Sequence, residues 1–296
     1  MNQRTTELLE PDFVRRLDQL ELISRKIFAG KLRGERRSKR KGESVEFADY
    51  RGYVAGDDLR YLDWNIYARL DTLFIKLFLQ EEDLHVSVLV DTSRSMDFGD
   101  PGKSLYARRI AATIAYIGMS NLDDASVVSI GADLGASITR MRGKGKVWRL
   151  FEFLDALPHA GETDLKRCMR RFISLERRRG VVIVLSDLYD RDGIIPGLRL
   201  LKGRRHETYV IHVMDREEQQ PPLRGDLRLV DSETGLFKDI TVTDAMRVRY
   251  HEAFEEHARR VETYCAGAEI GYVRALTEVP FDTLVLKILK RGGLLV

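Results

Sequence analysis

The stretch HVSVLVDTSRS, residues 85 to 95, decides the fold. A short run rich in β-branched residues ends in Asp91, and a loop carrying hydroxyls follows it. Apolar residues then recur at helical spacing at Tyr106, Ile110, Ile114 and Ile117, so the pair reads as a buried strand feeding a covering helix. The alternation continues: ASVVSIG near 125–131 and ASITRM near 136–141 predict strands, and 147–157 predicts a helix. A further helix opens after Thr163, with Asp164 as its cap and Leu165, Met169, Phe172 and Ile173 on its apolar side. VVIVLSD at 181–187 and TYVIHV at 208–213 have the length and composition of strands buried on both faces. Strands alternating with helices predict a doubly wound α/β fold, with a mostly parallel sheet covered by helices on both faces.

Outward from this core the text changes. Before it, Pro11 and Asp12 open a helical pattern with Phe13, Leu17, Leu20, Ile23 and Ile27 on one side, closed by Gly30. Nine basic residues against the single acid Glu35 fill 25–41, a solvated connector by composition. After it, LRLVD, a DSETG turn and DITVT predict a β-hairpin. Asp244 then caps a long helix with Met246, Tyr250, Phe254, Val261 and Tyr264 inward, and FDTLVLKIL after Pro280 predicts a closing helix. Four segments result: 1–42, an N-terminal helix and basic linker; 43–84, short mixed segments that need a larger surface to pack on; 85–215, the α/β domain; and 216–296, the C-terminal hairpin and helices.

Composition narrows the function classes. The chain has 296 residues, enough to bury a sizeable core, and its 32% charged and 44% apolar residues are those of a globular protein. A net charge of +3 points to no partner by itself. Cys168 and Cys265 are too far apart for a zinc knuckle or a redox pair. The N-terminal MNQRTTELLEPDF lacks a secretory pattern, and no apolar run approaches the ~18 residues of a bilayer span, so the expectation is a cytoplasmic protein.

Chemistry is expected where the strands end, because ligands of open parallel sheets bind outside the carboxyl ends of the strands. There, Asp91, Ser93 and Ser95 alternate along the first loop, Thr163 lies in a loop opening another helix, and Asp187 ends the strand VVIVLSD. One carboxylate and two hydroxyls on the first loop, joined by the Thr163 hydroxyl and the Asp187 carboxylate, are a hard-oxygen set, suited to Mg²⁺, with Mn²⁺ or Ca²⁺ as alternatives, and unsuited to zinc. The arrangement resembles the metal-ion-dependent adhesion site of von Willebrand factor A domains. Asp91, Ser93 and Ser95 match its first loop, Thr163 its second and Asp187 its third. The sequence departs from the commonest pattern at Leu188, where a glycine is usual.

The residues before the first strand add a second resemblance. GESVEFADYRGYVAGDDLRYLDWNIYARLDTLFIKLFLQEE is similar to the bacterial family known as domain of unknown function 58, through Glu46-Phe47, Tyr50-Arg51, Gly56-Asp57-Asp58, Arg60 and Asp63-Trp64. In that family the signature directly precedes an A-type domain. The resemblance implies work beside a MoxR-type AAA+ ATPase as an adaptor or accessory factor. It implies no substrate. The five metal-site residues leave an octahedral ion short of six oxygens, so a client protein with an acidic side chain is expected to complete the site. From the residues alone, Gly56-Asp57-Asp58 is a turn, and Arg51, Arg60 and Asp63 are expected to form a charged network over Trp64.

Enzymatic readings are weaker. DFGDPGKS, 97–104, ends like a phosphate-binding loop, but the position of its first glycine is Asp97, whose charge would repel phosphate. His251 and His257 are six apart where one helical face needs four, which leaves them as surface residues and not zinc ligands. A metal-dependent hydrolase or nuclease is the alternative function, yet no base accompanies the five oxygen residues in sequence. Nucleic-acid binding through the basic linker and Arg177-Arg178-Arg179 is a further alternative, without interleaved aromatics to support it. The reading is a non-enzymatic, metal-dependent protein-interaction module.

Overall fold

Every residue of β3 (His85–Asp91) and of β6 (Val181–Ser186) is buried. Strands with no solvated face need helices on both sides. The computed structural model describes residues 12–20, 47–78, 85–100, 102–120, 124–158, 161–190, 193–231 and 235–290. These fall into two compact units, one built from 12–20 and 85–290 and the other from 47–78.

In the larger unit a six-stranded sheet runs in the order β10-β7-β6-β3-β4-β5, with β4 (Asp124–Ile130), β5 (Leu134–Met141), β7 (Glu207–Met214) and β10 (Gly271–Leu276) joining β3 and β6. All neighbours are parallel except β4 and β5. This is the expected doubly wound α/β architecture. Alternate residues of the strands face opposite layers. Leu89, Val128, Val182, Val184 and Val210 form a core with α5 (Leu165–Leu175), α6 (Ile195–Gly203) and α8 (Asp244–Gly267). Against the other face lies α3 (Lys103–Ser120), whose Gly118 sits over Val86 and Ala125. There too are α1, residues 12–20, and α4 (Val147–Asp155) and α9 (Phe281–Lys290): the Phe13 ring packs 5.9 Å from Phe151 and 5.2 Å from Phe281.

The sheet takes a strand that the sequence pattern hides. GYVRAL pairs along its whole length with β7, so residues beyond 215 complete the sheet's edge. The hairpin of β8 (Gly225–Val230) and β9 (Phe237–Val242) is present and antiparallel. On α8 two expectations are corrected. Thr243, not Asp244, is the cap, accepting from the Met246 amide at 3.3 Å, and Asp244 sits in the first turn, where its charge suits the helix dipole. Met246 and Tyr250 face outward, because apolar packing begins only at Phe254, against Met214 and Ala258.

In the smaller unit β1 (Phe47–Gly52) pairs antiparallel with β2 (Phe74–Phe78), and α2 (Trp64–Leu70) lies between them in sequence. In place of the expected Arg51, Arg60 and Asp63 network, each of these residues has its own charged partner. Arg51 holds Asp57 at 2.8 Å, Arg60 holds Asp58 at 2.7 Å, and Asp63 pairs with Lys76 at 3.1 Å and the Tyr50 hydroxyl at 3.0 Å. Asp63 is committed to capping α2, which carries Trp64 outward, 63% exposed and edge-on to Tyr67. Gly56, at φ 101°, makes the expected turn. Ile23, Ile27, Gly30, Glu46, the basic segment 25–41 and positions 232–234 of the hairpin turn lie outside the described residues. Among the described residues no helix is long and apolar enough to cross a membrane.

Candidate metal centre

Strand order turns around between β3 and β6: the chain proceeds outward through β4 and β5 on one side and through β7 and β10 on the other. At such a switch point the loops leaving the two strands diverge and open a crevice at their carboxyl ends. Asp91 ends β3 and Asp187 follows β6 there, and both are buried.

The first loop is folded by its own carboxylate. Asp91 Oδ1 accepts from the Ser93 amide at 2.9 Å, and Oδ2 accepts from the Ser186 hydroxyl at 2.5 Å. This turn sets the Ser93 and Ser95 hydroxyls 3.0 Å apart. The Arg94 amide donates to the Gly161 carbonyl at 3.2 Å, which ties the first loop to the second. In the second loop Asp164 caps α5, and its amide donates to the Gly131 carbonyl at 2.9 Å. Between these anchors the Thr163 hydroxyl is buried with no hydrogen-bond partner among the described residues. An unsatisfied buried hydroxyl costs about 1–3 kcal/mol, so a partner beyond the described residues is expected for it.

The third loop contains the expected anomaly. Leu188 takes the left-handed backbone, φ 62°, that a glycine would adopt freely. Its side chain is fully buried in the core beside Leu165 and Leu198. Burying a leucine contributes about 1.5–3 kcal/mol, which offsets the ~1–2 kcal/mol of the strained conformation. The loop therefore keeps its course with a non-glycine residue, and Tyr189 donates its amide to Asp187 Oδ1 at 3.2 Å.

Four participants were not legible in sequence. Lys103, the first residue of α3, is fully buried and donates to Asp187 Oδ2 at 2.7 Å and to Glu218 Oε1. Burial opposes its charge, but Asp187 and then Glu218 outweigh burial and raise its pKa. Glu218 is set by α7 (Arg216–Gln219), whose capping box joins it to the Asp215 amide. Burial pushes the Glu218 carboxyl up, and Lys103 opposes that. His212 on β7 has its Nε2 3.0 Å from the Asp187 carbonyl and its Nδ1 2.7 Å from the Tyr272 hydroxyl. A carbonyl only accepts, so Nε2 carries the proton and the hydroxyl donates to Nδ1. Burial lowers the His212 pKa to about 3, so this brace on the third loop is neutral. His257, expected at the surface, is half-buried instead, its ring 6.3 Å from that of His212 and stacked 6.1 Å from Tyr189, because α8 packs over this edge of the sheet.

Together the groups suit a hard divalent cation. Burial, and then the neighbouring Asp187, push the Asp91 carboxyl well above the usual carboxylate range. Asp91, Asp187 and Glu218 against Lys103 leave two formal negative charges, the balance of one divalent ion. Among the described residues no three His, Cys, Asp or Glu side chains gather as a metal cluster, so hydroxyls would supply the remaining ligands.

Residues 49–260, more than half of the chain, match the family described as Protein of unknown function DUF58. The chain belongs to this family. Uncharacterized proteins of Mycobacterium tuberculosis (H37Rv) and Mycobacterium bovis are each 27% identical over 256 residues, covering 84% of this chain and 80% of theirs. Among solved structures, BatB from Bacteroides thetaiotaomicron is 13% identical with a TM-score of 0.42, covering 71% of this chain and 100% of that one. The VWA domain of SpRpn10 is 14% identical with a TM-score of 0.37, covering 70% and 95%. Both structural likenesses are distant.

Proposed function

We propose that this DUF58 protein is a metal-dependent protein-interaction module, and that it serves a MoxR-type AAA+ ATPase as an adaptor or accessory factor. The observation that carries the metal part is the Thr163 hydroxyl, buried without a partner among the described residues, in a loop tied to the one that follows the buried Asp91. Asp91, Ser93, Ser95, Thr163 and Asp187 would hold the ion, most suitably Mg²⁺, with Lys103 and Glu218 completing the charge balance. Three hydroxyls and two carboxylates leave at least one octahedral position for an acidic side chain of a client protein.

A non-enzymatic role is favoured by the state of His212, the imidazole bonded to the Asp187 carbonyl. His212 is neutral and spends both ring nitrogens on Asp187 and Tyr272, so it is not free to activate water. The partner class rests on the resemblance to the family in which a MoxR-type ATPase accompanies such chains. The test is capture of that purified ATPase, with its client, by wild type and by Thr163→Ala, in EDTA and in Mg²⁺. Capture that is lost in EDTA, restored by Mg²⁺ and absent in a folded Thr163→Ala protein supports the proposal. Equal capture by both proteins in EDTA would place the contact elsewhere and remove the role of the metal.

A further inference from the structure

At the opposite end of the sheet the turns entering β6 and β7 carry a cluster of basic side chains. Val181 and Glu207 begin the two strands side by side, and the segments 176–180 and 204–206 lead into them. Between the segments is a pocket of about 300 Å³ lined by Arg177, Arg179, Arg204, Arg205, Glu176 and His206. This lies about 20 Å from the metal centre, the length of a six-residue strand, so the two sites are separate.

Three observations together give the pocket a ligand. All four arginines are exposed, and none forms an ion pair among the described residues, although acidic residues are plentiful in the chain. The one acid in the lining, Glu176, is already shared: it accepts from Arg178 at 3.3 Å and lies 3.1 Å from His85. At the base is His206, only 5% exposed, whose Nδ1 is buried with no hydrogen-bond partner among the described residues. A buried unsatisfied ring nitrogen under four unpaired guanidinium groups is an unfinished polar site, where natural structures pair nearly every such atom.

We infer that this pocket binds a compact polyanion carrying phosphoryl groups, such as the oligophosphate moiety of a small molecule. Guanidinium forks match phosphate oxygens in pairs, and several around one concavity select multiple charges over one. The volume is at the lower end of small-molecule pockets, and the lining offers almost no apolar or aromatic surface on which a base or ring would stack. The phosphate end therefore supplies the recognition. Burial lowers the His206 pKa, with the Gly180 carbonyl and Glu176 pulling the other way and Arg204 adding to the depression, so an anion bound in the pocket would favour protonation of the ring.

The site owes nothing to the proposed metal function, and its test is run on chelator-treated full-length protein without divalent ions, which oligophosphates would sequester. Inorganic tripolyphosphate, pyrophosphate, phosphate and sulfate are titrated at equal ionic strength, by calorimetry and by melting temperature. One equivalent of tripolyphosphate should bind, more tightly than pyrophosphate and phosphate, with sulfate weakest. Arg179→Gln and Arg204→Gln should each weaken it about tenfold, while Arg149→Gln on α4 leaves it unchanged. His206→Phe should weaken binding while keeping or raising the melting temperature, since it removes the unsatisfied nitrogen and retains a ring against Phe172. Absence of saturable binding, or equal weakening by Arg149→Gln, would overturn the site as diffuse surface charge. Tighter binding of a short DNA duplex than of tripolyphosphate, lost in the same variants, would overturn the compact ligand in favour of a nucleic-acid backbone.

Discussion

Lys103 holds its ammonium between Asp187 and Glu218 with none of its side chain exposed, and the electrostatics of the candidate metal centre turn on it. Lys103→Met keeps the length and apolar stem but leaves two buried carboxylates unpaired. Breaking a buried pair in this way costs about 3–5 kcal/mol, so the variant should melt well below wild type in EDTA. A divalent ion would then face one more uncompensated charge, and Mg²⁺ should raise the melting temperature of Lys103→Met more than that of wild type. Equal melting of both proteins in EDTA would contradict the pairing. His212 makes a pH-dependent contribution. Its folded pKa, about 3, lies below the unfolded value near 6.5, so the unfolded chain binds the proton first. Its stabilisation is complete above the unfolded pKa and lost as pH falls, by about 2 kcal/mol between pH 7 and pH 5. Denaturant titrations of wild type and His212→Gln should differ in pH slope by that amount; identical slopes would show that the imidazole is not buried neutral. The positions of Asp91, Ser93, Ser95, Thr163 and Asp187 on loops at strand ends and helix starts were legible because such boundaries mark themselves in sequence. Lys103 and His212 were not, because the partner of Lys103 is 84 residues away and that of His212 is a backbone carbonyl 25 residues away.

Among the elements, the strands buried on both faces were read correctly from uniform apolar runs, and α3, α5 and α8 from their periodicity, whereas α6, a nine-residue helix, was not read. β10 escaped because an edge strand is only half covered: GYVRAL alternates aromatic, aliphatic and charged residues, and Ala275 alone is fully buried. It nevertheless closes the side of β7, and the segment after it reaches back to α3, where the Tyr106 hydroxyl donates to the Val279 carbonyl at 2.7 Å. Removing residues 268–296 should therefore expose the β7 edge, and with it a row of unpaired backbone groups and the apolar faces of α3 and α9's partners. The truncated chain is expected to be aggregation-prone or to melt far below the full-length protein. A soluble truncation with unchanged melting temperature would show that the sheet is complete without its last strand. The outward face of Met246 and Tyr250 was missed for a related reason: helical periodicity shows which residues share a face but not whether anything lies opposite.

For the molecule as a whole, folding has gathered two buried carboxylates and three hydroxyls from three loops at the switch point of the sheet. One of those hydroxyls, that of Thr163, has no partner among the described residues. The central claim is that a divalent cation is that partner. It is tested most directly by calorimetric titration of Mg²⁺ and Mn²⁺ into chelator-stripped wild type and Thr163→Val, with melting temperatures taken in EDTA. Valine keeps the shape of threonine and removes only the unsatisfied hydroxyl, so in EDTA the variant should be as stable as wild type or more stable, by up to about 1–3 kcal/mol. Wild type should bind one ion per chain and be stabilised by it, and Thr163→Val should bind at least about tenfold more weakly. Wild type that takes up no ion, or a Thr163→Val protein that binds it equally well, would contradict the account.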